Sequence, residues 1–196
     1  MHFFSSRGVG FQAGLTLGCG GQRAERAGEP DQLNGLESRL MRRVVIMGRG
    51  ASGKSTLAVR LGEILGLPVI ELDKLFWQPG LVPTSRDQWA AVQEKLVKEE
   101  GWIMDGDLGP YDVVDVRLRG ADTIIVLDFS LVRCAWRAIR RSRERADFWR
   151  WLLEYRRRSR PLLMEAIATH AASADLHVLR NPGALRRFVA QVARVR

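Results

Sequence analysis

Cysteine and histidine are scarce in this chain: Cys19 and Cys134, with His2, His170 and His177, are spread over 196 residues without a CxxC pair or a metal-ligand spacing. That excludes a disulfide framework and a zinc site as organising devices. No run of 18 apolar residues occurs, and the opening MHFFSSRGVGFQAGLTLGCGG breaks its apolar residues with Gly, Ser, Gln and Arg. Neither a membrane span nor a secretory leader is expected, so the chain reads as cytoplasmic. The 19 Gly and 7 Pro follow no period, which excludes collagen-like and low-complexity architectures. Lysine is scarce too, at four positions (54, 74, 95 and 98) among 31 basic residues.

What is present suits a folded domain, because 46% apolar residues in a chain of this length can bury one sizeable core. The net charge of +9 is concentrated: residues 131–160 hold 11 Arg against Glu144, Asp147 and Glu154. Such a cluster meets the phosphates of a nucleotide or a nucleic acid, or forms a solvated helix face, and charge alone leaves these open.

Residues 1–40 carry 8 of the 19 Gly and no periodic apolar pattern. They read as a disordered extension, or as sequence upstream of a true start at Met41, leaving 41–196 as the domain. From there strands and helices alternate. Val44 to Met47 reads as a buried strand, and Leu57, Leu61, Ile64 and Leu65 recur at helical spacing before Gly66 and Pro68. Val69 to Leu72 reads as a strand ending at Asp73, and Ser85 with Gln88 forms a capping-box pattern opening a helix. Trp102–Asp105, Thr123–Phe129 and Leu176–Leu179 supply three more strands. An Arg-rich region from Leu131 to Ala172 reads as two helices broken near Pro161, and a helix over Ala184–Val195 closes the chain. Five strands alternating with helices predict an α/β fold, a parallel sheet covered on both faces.

Gly48-Arg49-Gly50-Ala51-Ser52-Gly53-Lys54-Ser55 satisfies G-x-x-x-x-G-K-[ST] between a predicted strand and a predicted helix. The spacing has a physical reason. Backbone N–H groups of Gly50 to Ser55, free because they open a helix, converge on a phosphate, and the helix dipole adds positive potential. Lys54 is placed to neutralise the β- and γ-phosphates of ATP, Ser55 to ligate Mg²⁺, and Thr56 to touch the α-phosphate. An acidic partner for the metal is expected at a strand end, where Asp105 and Asp128 are both suitable. Asp73 is a candidate for orienting or deprotonating an acceptor hydroxyl. Each of these carboxylates could instead cap a helix.

The segments RRVVIMGRGASGKSTLAVRLGEILGLPVIELDKLFWQPG, GWIMDG and ADTIIVLDF resemble the adenylate kinase-like DNA topology modulation proteins of the FlaR type. The likeness runs from Met41 nearly to the C-terminus, with LDKLFW and WIMDG its more specific elements beyond the P-loop. It implies the three-layer P-loop NTPase fold of the nucleoside-monophosphate kinases, with sheet order 2-3-1-4-5 and an Arg-bearing lid after the fourth strand. It favours Asp105 for the metal, since the strand-end DG corresponds to Asp105-Gly106. It implies lid arginines among Arg133, Arg137, Arg140 and Arg141, best matched at Arg137 and Arg141, and an acceptor contact at Arg117, whose alternative is a salt bridge to Asp115 or Asp112. Trp77 could stack on a nucleobase or simply pack. Two features depart from the family pattern. Asp107-Leu108 stand where Asn-Tyr is usual, adding a carboxylate beside the acceptor, and Arg145 runs almost directly into Asp147–Trp151, which shortens the lid.

These observations lead to an ATP-dependent, Mg²⁺-requiring kinase acting on a nucleotide or another small acceptor. Two rivals remain at this level: a nucleic-acid-associated ATPase gripping phosphates with its Arg-rich segment, and a nucleotide-binding module with vestigial catalysis.

Overall fold

The computed structural model describes residues 41–80, 82–141 and 146–195. The expectation for residues 1–40 lies outside them. Among the described residues, strand β1 (Arg43–Gly48) leads through the P-loop into helix α1 (Lys54–Leu65), then β2 (Val69–Glu71) and the short α2 (Leu72–Phe76). A small antiparallel pair, β3 (Trp77–Gln78) and β4 (Val82–Pro83), precedes α3 (Arg86–Leu96) and β5 (Trp102–Asp105). Then come α4 (Val114–Gly120), β6 (Thr123–Leu127), α5 (Leu131–Arg141), α6 (Ala146–Glu154), α7 (Ser159–His170), β7 (Asp175–Leu179) and α8 (Pro182–Val195).

The five parallel strands lie in the order β2-β5-β1-β6-β7. Counting only the strands of this sheet, that is the expected 2-3-1-4-5. The period-2 alternation of β1 divides the core into two layers. Val44 and Ile46 pack with Leu57 and Leu61 of α1, Cys134 of α5, Leu152 of α6, and Phe188 and Val192 of α8. Val45 and Met47 pack on the other face with Trp89 of α3, Leu118 of α4, and Leu163 and Ile167 of α7. Because both faces are covered, β1 reads as a continuous apolar run. Chain connections diverge on either side of β1, so a crevice opens at the carboxyl ends of β1, β2 and β5, where folds of this kind bind ligands.

Local signals explain most boundaries. Gly66, at φ 68°, ends α1 in the left-handed conformation, and its N–H donates to Gly62 O at 2.8 Å. Ser85 takes the N-cap position of α3, but its side chain makes no capping hydrogen bond. The break expected near Pro161 falls at residues 155–158, and Pro161 itself lies in the first turn of α7, where the missing N–H would have had no intrahelical partner. The described part of the Arg-rich region holds three helices, α5, α6 and α7, rather than two. Asp73 sits in the first turn of α2 rather than at the strand end, because β2 stops at Glu71. Among the described residues no helix is long and apolar enough to cross a membrane.

Candidate active site

The chain between β1 and α1 turns on three residues with positive φ: Gly48 (138°), Ala51 (56°) and Gly53 (99°). Gly50 is required by close approach, since a Cβ there would lie 2.4 Å from Trp151 Cζ3, and Gly53 by its left-handed backbone, with Arg137 Nη2 2.9 Å from where a Cβ would sit. Gly53 N-caps α1, so the free N–H groups of the first turn face outward at the positive end of the helix dipole. Lys54 curls back over the loop, its Nζ donating to Gly48 O at 3.0 Å and Arg49 O at 3.4 Å.

Arg49 holds the loop from beneath. Its side chain is buried, Nη1 donates to Phe129 O at 3.4 Å, and the guanidinium carbon lies 5.2 Å from the Tyr155 ring centroid. From α5, Arg137 Nη1 donates to Ser52 O at 3.1 Å. One helical turn away on the same helix, Arg140 stacks over the Trp136 ring at 4.5 Å. From α6, Phe148 and Trp151 close on Gly50.

Beyond the buried Arg49, these groups border a cleft of about 910 Å³. Its floor is the P-loop from Gly50 to Thr56, one wall carries Glu71, Asp73, Lys74, Asp105 and Asp107, and the other carries Trp136, Arg137, Arg140, Phe148 and Trp151. A smaller cavity of about 310 Å³ adjoins it, between Thr56, Leu57 and Arg60 of α1 and Leu185, Arg186 and Val189 of α8.

The carboxylates differ in state. Asp105 is buried at 5% exposure, and desolvation raises its pKa against the opposing hydrogen bond from the Ser55 hydroxyl and the Lys54 charge. Its Oδ1 has no hydrogen-bond partner. Asp73 is also raised, first by desolvation, then by Asp105, Asp107 and Asp112, with Lys54 pulling the other way. Among the described residues no cluster of three or more His, Cys, Asp or Glu could hold a metal unaided. Mg²⁺ needs few protein ligands, taking most of its shell from water and phosphate oxygens. The unsatisfied Asp105 Oδ1 next to Ser55 fits such an ion.

The structure therefore brings together Gly50, Ala51, Gly53, Lys54, Ser55, Thr56, Asp73, Asp105 and Arg137 around one cleft, with Gly48 and Ser52 in the loop behind them. Arg141 closes α5, and its side chain lies outside the described residues. Two expected acceptor contacts are elsewhere. Trp77 packs edge-on against Phe76, with ring centroids 4.9 Å apart, and is not part of the cleft lining. Arg117 is completely buried, paired with Asp112 at 2.6 and 2.7 Å, and donates also to Gln93 Oε1 and Gly106 O. Asp128 lies behind the loop with Arg160 Nε at 3.0 Å. Sequence reasoning missed Trp136, Phe148 and Trp151 as cleft walls, since aromatic residues at helical spacing read first as core.

No family model matches the sequence, and no curated protein does. Among solved structures, the chain is similar to shikimate kinase from Acinetobacter baumannii in complex with shikimate, at TM-score 0.57 and 16% identity over 82% of this chain and 94% of that one. Shikimate kinase from Bacteroides thetaiotaomicron aligns at TM-score 0.50 and 13% identity over 79% and 98%. A sugar kinase from Janibacter sp. HTCC2649 aligns at TM-score 0.46 and 23% identity over 79% and 91%. This chain has the three-layer α/β fold of the P-loop kinases.

Proposed function

We propose that the chain is an ATP-dependent, Mg²⁺-requiring phosphotransferase that moves the γ-phosphoryl group of ATP to a hydroxyl of a small acceptor. The observation that carries this reading is the convergence on one cleft of Lys54 and Ser55 from the P-loop, Asp73 and Asp105 from the neighbouring elements, and Arg137 from α5. The backbone N–H groups of Gly50 to Ser55 cradle the β-phosphate, and Lys54 neutralises charge on the β- and γ-phosphates. Thr56 faces both the cleft and the smaller cavity, which has room and apolar surface at Leu57 and Val189 for a nucleobase. Ser55 and Asp105 would hold an Mg²⁺ ion or its waters, and that ion would offset the negative charge of the phosphates.

Arg137, with Arg141 as its companion on the same helix, stabilises charge on the transferred group, an effect that is strong in a water-excluded site. Asp73 orients the acceptor hydroxyl and receives its proton. We place the chain among the adenylate kinase-like topology modulation proteins on LDKLFW and WIMDG, and its reaction in the cytoplasm. Incubation of the full chain with Mg-ATP and mixed acceptors, read by mass spectrometry, tests the reading. A phosphorylated product is expected with the native chain and none with Lys54→Ala; equal turnover by the two would refute the mechanism.

A further inference from the structure

The cleft is lined by charges of both signs. Lys54 opens α1 at the P-loop, Arg137 bonds to the loop from α5, and Arg140 lines the cleft from the same helix. Asp73 and Asp107 line it from the other elements, together with Glu71, whose Oε1 accepts from Lys74 Nζ at 2.6 Å. Apart from Lys74, no Lys or Arg among the described cleft-lining residues comes from the segments that carry these acids. Arg117, the residue the sequence offers for an acceptor anion, is not available. Asp112 takes both its terminal nitrogens, Gln93 and the Gly106 carbonyl take further donors, and its side chain is 0% exposed.

Asp107 is prepared for a ligand that donates hydrogen bonds. Its Oδ1 accepts from the Gly109 N–H at 3.1 Å, which fixes the carboxylate in a turn, and the residue lines the cleft. Asp105, buried on the same wall with Oδ1 unpartnered, is taken by the metal, so Asp73 and Asp107 are the carboxylates left to meet the acceptor.

We infer, on the kinase reading above, that the acceptor is a hydroxyl compound carrying no phosphate or carboxylate group, held by Asp107 through hydroxyl or ammonium donors and presented to Asp73 by its reacting hydroxyl. A phosphomonoester dianion there would face Asp73 and Asp107 with no guanidinium from their own segments among the described residues to offset it, whereas a polyol or an amino alcohol meets complementary acceptors. In the transfer, the acceptor oxygen forms a new bond to the γ-phosphorus. The bond from that phosphorus to the β–γ bridging oxygen breaks, its electron pair leaves with ADP, and the hydroxyl proton passes to Asp73 and then to water.

The test uses the full chain with Mg-ATP and two acceptor pools. One holds nucleoside monophosphates, sugar phosphates, shikimate and gluconate; the other holds nucleosides, neutral sugars, amino sugars and amino alcohols. Product from the second pool alone is expected. Asp107→Asn should raise the acceptor KM about tenfold, the loss of one charged hydrogen bond, with kcat and the ATP KM little changed. Product from the first pool at equal or higher kcat/KM overturns the inference and leaves the kinase reading intact. Mg-ATP binding with product from neither pool overturns it as well. Failure to bind Mg-ATP, measured by calorimetry against Lys54→Ala, overturns the kinase reading itself.

Discussion

Arg137 of α5 donates to the carbonyl oxygen of Ser52 at 3.1 Å, joining the P-loop to a helix 85 residues further along the chain. The bond holds a guanidinium against the loop, and its neighbour Arg140 is braced on Trp136. A fixed cation costs little reorganisation when charge develops beside it, which is the condition under which such groups accelerate transfer most.

Arg137→Ala should therefore lower kcat about 100-fold, within the range for deleting one preorganised charge-stabilising donor. Arg137→Lys should recover little, because a single ammonium cannot reproduce the planar fork that meets both Ser52 O and a phosphoryl oxygen. Steady-state turnover with saturating Mg-ATP measures both variants. Unchanged kcat in Arg137→Ala would reduce the residue to a structural tie.

Gly50 is the point where α6 rests on the loop. A methyl group there would meet Trp151 Cζ3 at 2.4 Å and Phe148 Cε2 at 2.8 Å. Gly50→Ala should thus cost about 1–3 kcal/mol of stability by overpacking. Trp151→Ala added to it should relieve part of that, giving a coupling of about 0.5–3 kcal/mol between the two sites. Urea unfolding of the four-member cycle gives the answer, and simple additivity would mean that α6 does not bear on the loop.

The parts of the fold that were legible in the sequence are those set by local chemistry. The P-loop announces itself because a tight strand-to-helix turn with a Lys and a Ser allows few alternatives, and β1 reads as a strand because both its faces are buried. The short α4 and the β3–β4 pair escaped notice, since seven residues and two-residue strands carry too little periodicity. Arg117 shows the limit more sharply. Its neighbours Asp112 and Asp115 were visible as candidate partners, but only the packing of Trp89, Gln93 and Leu118 decides that Asp112 wins and that the pair is buried. Arg119 takes Asp115 instead, at 2.8 Å. Likewise the aromatic residues of α5 and α6 reach the cleft only through tertiary placement of those helices.

The Arg117–Asp112 pair is a structural element whose loss should be severe. Arg117→Met leaves Asp112 charged and buried, at an expected cost of about 3–5 kcal/mol, while Arg117→Met with Asp112→Leu should recover much of it. The pH dependence has a definite sign. Burial alone would raise the Asp112 pKa, but the charge and hydrogen bonds of Arg117 hold it below the ordinary carboxylate range. Its contribution to stability is therefore fully present above the unfolded value of about 3.9 and is lost as pH falls through the lower folded value. The difference in urea midpoint between the native chain and Asp112→Asn should shrink over that acid interval and stay constant above it.

Asp73 should show the opposite displacement in activity. Desolvation and the neighbouring Asp105, Asp107 and Asp112 raise its pKa, with Lys54 opposing them. As the group that receives the acceptor proton it works only when ionised, so the acid limb of kcat/KM should fall above the ordinary aspartate value of about 3.9. Asp107→Asn removes one of the raising charges without removing Asp73, and the limb should then move to lower pH. Asp73→Asn should abolish the limb together with most of kcat, by about 10²- to 10⁴-fold. A limb that stays in place in Asp107→Asn would mean that another group carries the proton, and Asp73 would be left with orientation of the hydroxyl alone.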